Sequence, residues 1–462
     1  MEYSLSGTEF INGKMFDSNG KLTHKTGNRF KLFPFVTHPN SVPVEDLSQL
    51  IGTYLCKIED QKPVEITVAD LVEKLKSETE IEAGQDALFY ETVKQLFFDS
   101  EKQLRPLNLQ MLSHISHKEV GEEKVADFLV DVLGEKENLK KLVSEAKQNE
   151  FNATNVFERL VLKYLLCDKE KKDDKIPYYR VVNAVTQQFE SDLKYVLSNQ
   201  NRVREYLISL LDLYFFSYTA QTSLQLERFM DGEREENIPL YFCLDWEKTS
   251  QSRQCYTYGW QKLQYAVKKM FAHAVTLEIL NHTESGSDKI DYIALKKYIS
   301  ENPDHEKEIA QKIDEVTDLY RSSITDCSVM NEIKKTDDDD AVRASVRYLF
   351  DSVKCQFENT GRSKAYNSYA IKFELFCHKF LKSRGRSGRM LVLSEETLIF
   401  LTKISIKEHE QMRLKDVFDE FEKRGVFLDN ISKEQVTIYF EKLNLIEKKS
   451  DNGDAKYVKR IL

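Results

Sequence analysis

The period of apolar and polar positions changes along the chain, and each change marks a different kind of element. Near the start, short alternating runs flank the turn Asp17-Ser18-Asn19-Gly20, and a second turn at Thr26-Gly27-Asn28 leads into Arg29-Phe30-Lys31-Leu32-Phe33-Pro34-Phe35. Alternation around tight turns predicts an N-terminal β-hairpin region. From Val44 the spacing becomes helical. Leu47, Leu50, Ile51, Tyr54 and Leu55 share a face, and Thr67 with Asp70 reads as a capping box opening a helix that carries Leu71, Val72 and Leu75. The same period predicts helices over roughly 86–100, 122–134, 137–149 and 152–167. A charged stretch, 168–175, then precedes Ile176-Pro177, which marks a boundary.

The middle of the chain predicts long helices. Residues 202–231 lack Pro and Gly, and Leu210, Leu211, Leu213, Tyr214, Phe215 and Phe216 make this helix apolar nearly all round, as in a buried central helix. Pro239-Leu240-Tyr241-Phe242-Cys243-Leu244-Asp245-Trp246 is an apolar run of strand length, followed by a polar loop, 247–254, and a helix over 256–280. A helical pair spans about 290–333 and ends at Asp337-Asp338-Asp339-Asp340. A helix over 341–383 follows, interrupted near Thr360-Gly361. No repeat period stands out, which disfavours a solenoid.

The C-terminal part predicts three helices and a hairpin. The first helix starts at Ser394 and carries Leu398, Ile399, Leu401 and Ile404. The second, 414–424, carries Val417, Phe418 and Phe421 and ends at Gly425. The third opens with a capping box, Ser432 and Gln435, and has Val436, Phe440 and Leu443 on one face. Segments 445–449 and 456–461 flank the turn Ser450-Asp451-Asn452-Gly453-Asp454. This is the layout of a winged helix-turn-helix. The predicted fold is therefore mainly α, with an N-terminal β-hairpin region (1–40), a helical domain (41–175), a central helical domain (176–383) and a C-terminal winged helix-turn-helix (390–462).

Composition narrows the class. The 16 Gly and 8 Pro together are about 5% of the 462 residues, against roughly 12% in average usage, so turns are few and elements long. With 41% hydrophobic and 31% charged residues, the chain is rich enough in apolar side chains to exclude disorder throughout, and an all-β or collagen-like chain fits poorly. Seven scattered cysteines without a C-x-x-C pair suit a reducing compartment. Met1-Glu2-Tyr3-Ser4 has neither a basic nor an apolar leader segment, and the most apolar stretch, 206–220, carries Asp212 and is short for a bilayer. The expectation is a cytoplasmic chain without membrane contact. The net charge is −9, yet residues 363–462 hold 20 Lys and Arg against 15 Asp and Glu, which points to an anionic partner for that end.

Candidate chemistry follows that asymmetry. In a groove-reading helix, outward polar side chains reach base edges. The expected outward positions, Lys433, Glu434, Thr437 and Glu441, are mixed in sign, and the carboxylates would repel phosphate. The wing is more basic, with Lys448, Lys449, Lys456, Lys459 and Arg460. Upstream, Lys382-Ser383-Arg384-Gly385-Arg386-Ser387-Gly388-Arg389 reads as a flexible loop whose guanidiniums can chelate phosphate oxygens, or as a solvated linker. These cations, with Lys433 and Thr437, form the candidate set for contact with nucleic acid or with a protein partner. Asp245, Glu247 and Lys248 suggest a metal-dependent nuclease, but such sites need a separate E-x-K on the next strand. Asp337–Asp340 reads as a solvated loop at a helix start, His114 and His117 lack further ligands, and Cys377-His378 reads as packing. Phosphate-cradle, dinucleotide, zinc-protease and nucleophile-elbow motifs are absent. The expectation is thus no catalytic residue, cofactor, metal or small-molecule substrate.

Several segments carry a family resemblance. They are 382–393 with Glu396-Thr397-Leu398-Ile399-Phe400-Leu401-Thr402-Lys403, then Phe421-Glu422-Lys423-Arg424-Gly425-Val426-Phe427, 443–451 and Gly453-Asp454-Ala455. Leu22-Thr23-His24-Lys25-Thr26-Gly27-Asn28 and Leu32-Phe33-Pro34 add to them at the N-terminus, and Leu244-Asp245-Trp246-Glu247-Lys248 in the middle. They resemble the DptG family, subunits of bacterial phosphorothioation-dependent DNA restriction systems. The resemblance implies an anti-phage defence complex with DptF and DptH, which carry the nucleotide-binding machinery, acting on DNA that lacks backbone sulfur. It implies no catalytic motif in this subunit. The alternatives left by the residues themselves are a metal-dependent nuclease subunit and a stand-alone winged-helix transcriptional regulator.

Overall fold

The computed structural model describes residues 2–461 except 38–43, 45–46, 64–65, 101–103, 106, 115–119, 154, 166, 170–174, 286 and 450–454. The chain is mainly helical, with small sheets. It divides into two compact units, one of Val44–Lys175 and Gln187–Phe215, the other of Met1–Pro43, Ile176–Thr186 and Phe216–Leu462. The 27-residue helix Gln200–Leu226 begins in the first of these and ends in the second.

In the first unit the capping box forms. The Thr67 hydroxyl accepts from the Asp70 N–H, and the Asp70 carboxylate accepts from the Thr67 N–H, satisfying two donors at the start of helix Val68–Lys76. Leu71 and Leu75 of that helix share a buried cluster with Val93, Phe97 and Val161 from helices Asp86–Phe97 and Val156–Tyr164. Strands β1 (Gln61–Pro63) and β2 (Cys167–Lys169) pair antiparallel. Part of the expected charged linker is therefore strand, while 170–174 and His117 lie outside the described residues.

In the second unit the helix Met270–Leu280 is buried at every position. A helix with no wet face must satisfy its polar side chains internally. His273 bonds Glu227 through Nε2 at 3.0 Å and the Tyr292 hydroxyl through Nδ1 at 3.1 Å. The Glu278 carboxylate accepts four backbone N–H bonds, from Gly27, Asn28, Arg29 and Phe30, at 2.9, 3.2, 2.8 and 3.0 Å. Further contacts tie the preceding segment to the same helix end. Tyr3 Oη donates to Leu280 O at 2.9 Å, and Ser6 N donates to His282 O at 3.0 Å.

The N-terminal segment departs from its alternating pattern. Gly7–Asn12 is a short helix capped by Ser6, and a single antiparallel bridge, Phe16 to Leu22, spans the turn, where the Asp17 carboxylate accepts from Asn19 and Lys21 N–H. Glu278 and the residues after Leu280 take the backbone bonds that a sheet partner would take.

One expected long helix is also divided, and a second breaks at the expected Thr360-Gly361 interruption. Residues 256–280 split at Lys268 and Lys269 into Trp260–Val267 and Met270–Leu280. Residues 341–383 form Ala341–Glu358, capped by Asp340, and Ser363–Phe376, then turn into a strand. From Tyr241 onward the strands are β3 (Tyr241–Leu244), β4 (Leu381–Ser383), β5 (Arg389–Leu393), β6 (Gln411–Arg413), β7 (Phe427–Leu428), β8 (Ile446–Lys449) and β9 (Ala455–Lys459). One sheet has the order β4-β5-β3-β7, with β5 and β7 parallel to β3 and β4 antiparallel to β5. Phe216 packs on Phe242 of β3 and on Phe380, at ring distances of 5.9 and 4.6 Å. A second sheet, β6-β9-β8, is antiparallel and accompanies helices Glu395–Ile406, Leu414–Lys423 and Asn430–Lys442.

Two measurements check this core. Glu278→Gln turns an amide donor toward backbone donors, and urea unfolding should register a loss of about 3 kcal/mol; an unchanged midpoint would contradict the anchoring role. Burial holds His24 and His282 neutral, lowering their pKa values to about 3 and about 4. The unfolded chain takes up these protons near pH 6.5 and the folded chain does not, so stability is full above that pH and falls as pH drops toward 4. His282→Gln should make unfolding free energy fall less steeply over that window.

Candidate nucleic-acid or partner interface

Parallel pairing brings the C-terminal ends of β3, β5 and β7 to one edge, with β3 between two strands that follow it in sequence. The residues there are Asp245, Trp246 and Glu247 after β3, Ser394 after β5 and Asp429 after β7. A buried network joins two of these ends. The Arg253 guanidinium pairs with Glu247, donates to Asp429 Oδ2 at 3.1 Å and Oδ1 at 2.5 Å, and reaches Ser432 Oγ at 2.8 Å. The other Glu247 oxygen accepts from Leu244 N at 2.8 Å and from Ser432 Oγ at 2.9 Å. Burial works against the Asp429 charge, but the Arg253 bonds and the Ser432 N–H outweigh it and hold its carboxyl below the usual range.

Asp429 is also the N-cap of helix Asn430–Lys442, accepting from Ser432 N at 2.9 Å. This corrects the expected Ser432 capping box. Asp429 supplies a charged acceptor three residues before that N–H, so the helix starts earlier and Ser432 is buried inside its first turn.

The basic stretch 382–389 is a tight hairpin, not a flexible loop. β4 and β5 pair antiparallel, and Gly385 and Gly388, at φ of +56° and +70°, supply the left-handed backbone that the turn between them needs. Lys382 pairs with the Asp245 carboxylate, and Arg384 donates to the carbonyls of Leu244 and Asp245 at 2.9 and 2.7 Å. Arg389 pairs with Glu374 at 2.9 Å. Arg386 is exposed and has no ion pair among the described residues.

The other sequence-predicted cations are largely neutralised. Lys433 pairs with Glu422 at 3.0 Å, Lys456 with Glu441 at 3.0 Å, and Arg460 with Glu408 at 2.9 Å. The Thr437 hydroxyl donates to Lys433 O at 2.8 Å within its own helix. Lys448 and Lys459 project from β8 and β9 and are exposed. Lys449 lies in β8, and its side chain and the wing turn 450–454 are outside the described residues.

The outward face of helix Asn430–Lys442 also differs from expectation. Glu434 and Glu441 are exposed, but Lys433 and Thr437 are half-buried, and the apolar Ile431 and Ile438 are 49% and 37% exposed. Val436 and Phe440 are buried, while Leu443 is 44% exposed. Beside this face Trp246 packs on Tyr439 at 4.9 Å between ring centres, and the Tyr439 hydroxyl bonds Glu395 at 3.1 Å. Trp246, Tyr439, Arg253 and Asp429 escaped sequence reading, and only the Asp429-x-x-Ser432 spacing offered a signal.

For a metal-dependent nuclease, Glu247 would have to leave Arg253, Ser432 and a backbone N–H, which leaves Asp245 as the single exposed carboxylate of the pair. Among the described residues, no group of three or more His, Cys, Asp or Glu is placed to hold a metal ion, and no helix is long and apolar enough to cross a membrane. Comparison with protein-family models gives no match, and no curated protein matches the chain.

Arg253→Ala strands two buried carboxylates and should cost about 3–5 kcal/mol of unfolding free energy. Arg253→Lys, a point charge without the planar fork, should restore little of it. A loss under about 1 kcal/mol would mean the network is dispensable.

Proposed function

We propose that the chain is a non-catalytic subunit of a phosphorothioation-dependent restriction complex, the role its resemblance to the DptG family implies. Its C-terminal part is a winged helix that docks a nucleotide-hydrolysing partner of the DptF or DptH kind. Three helices with a sheet ordered β6-β9-β8 support the winged-helix reading. The observation that carries the docking role is the outward face of helix Asn430–Lys442. A helix that reads a DNA groove presents polar and basic side chains to it. This one presents Ile431 and Ile438, flanked by Glu434 and Glu441. Isolated exposed apolar residues are ordinary, but two aligned on one helix face fit the apolar centre of a protein interface.

DNA falls to a second surface, the β4–β5 hairpin and the wing, where Arg386, Lys448 and Lys459 are exposed. The ion pairs that neutralise Lys382, Arg389 and Lys456 are largely solvent-exposed. Such pairs are worth about 0–1 kcal/mol, so a polyanion can displace the carboxylates. The stand-alone regulator fits less well, because its third helix would carry apolar and acidic side chains into the groove.

Affinity purification of the chain from cells carrying its native operon should bring down nucleoside-triphosphatase subunits. Ile431→Glu combined with Ile438→Glu should cut their recovery about tenfold or more while leaving thermal unfolding unchanged. Recovery of the same subunits with the double variant, or their absence from the native preparation, would overturn the docking role.

A further inference from the structure

We propose that Trp246, backed by Tyr439, is a stacking platform for an unpaired base of single-stranded DNA whose phosphates lie along the β4–β5 hairpin. The proposal rests on the DNA-contacting part of the function above and narrows its ligand.

The chain has two tryptophans. Trp260 is 2% exposed and Trp246 is 38% exposed. Tryptophan is enriched at binding surfaces, where its ring has one apolar and one wet side. Its ring is braced on one side by Tyr439, at 4.9 Å and 39° between ring planes, and Tyr439 is in turn held by Glu395. The pair sits just beyond the C-terminal end of β3, where neighbouring strands run off to both sides. Open α/β sheets take up ligands at such crevices.

The backbone of a strand has a place to go. Asp245, next in the chain to Trp246, holds Lys382 and lies 3.9 Å from Arg384. Gln251 of the same loop reaches the Arg386 carbonyl at 3.4 Å, so the indole loop and the basic hairpin are fastened together. The Asp245 carboxylate occupies the position a phosphate would take between Lys382 and Arg384. Its pair with Lys382 is exposed and weakly held, so an incoming phosphate exchanges with it. Cations tracking a backbone beside an exposed aromatic ring are the features that bind single strands. Paired bases in a duplex keep their faces stacked and cannot use the ring.

The test uses the full chain and a fluorescein-labelled oligothymidylate of about 12 nucleotides, compared with a duplex of equal length at low salt. The expected result is quenching of tryptophan emission by the single strand. By fluorescein anisotropy, Trp246→Ala should weaken binding about tenfold or more and Trp246→Phe much less, while Asp245→Asn tightens it. Unchanged affinity in Trp246→Ala, with binding lost in Arg386→Glu, would overturn the platform and leave phosphate contact standing. Quenching by the partner subunits and not by the oligonucleotide would also overturn it, placing Trp246 in the docking surface. No binding of either nucleic acid would overturn the DNA contact itself.

Discussion

The Arg253 guanidinium, buried between the carboxylates of Glu247 and Asp429, is the interaction on which the candidate interface depends. It joins the turn after β3 to the start of helix Asn430–Lys442. Taking these charges out of water is expensive, and they are tolerated because each carboxylate oxygen faces Arg253 or a hydrogen-bond donor. The same network fixes where the helix begins, through Asp429, and where Trp246 emerges, one residue before Glu247. The aromatic pair and the start of the helix meet at this edge of the sheet, and Lys382 and Arg384 tie the basic hairpin to it through Asp245.

A second constraint governs the body of that unit. The helix Met270–Leu280 has no solvent face, and its His273 and Glu278 serve as anchors. Glu278 binds four successive peptide N–H groups and thereby folds the N-terminal segment against the helix. His24 shows the same economy. An arginine can only donate, so Arg362 at 2.9 Å fixes Nδ1 as the acceptor and leaves Nε2–H for the Tyr320 hydroxyl at 3.1 Å. Burial in this setting holds His24 neutral.

Much of the helical layout was legible because helix starts are written locally. Thr67 with Asp70, Ser394 with Thr397 N–H, and Asp340 ahead of Ala341 each cap a helix that the apolar period also marks. The pairing of β8 with β9 was legible as two short runs about a polar stretch. The four-stranded sheet was not. β3 has four residues and β7 two, and their pairing joins Phe242 to Leu428 across most of the C-terminal half. No local period encodes a contact at that separation. The basic stretch read as a flexible phosphate-binding loop or a solvated linker because Gly and Arg without apolar positions resemble either; its left-handed glycines and its pairing across Lys382 and Met390 make it a hairpin. Ile431 and Ile438 were missed because an apolar residue on a helix is assigned to the core unless packing reveals otherwise.

The central claim is that helix Asn430–Lys442 is a protein-docking face. Hydrogen exchange of the chain, alone and in complex with the proposed nucleoside-triphosphatase partners, tests it most directly. A docking face gains protection of the amides of this helix on complex formation. Exchange there identical to the free chain, with protection gained only elsewhere, would contradict it.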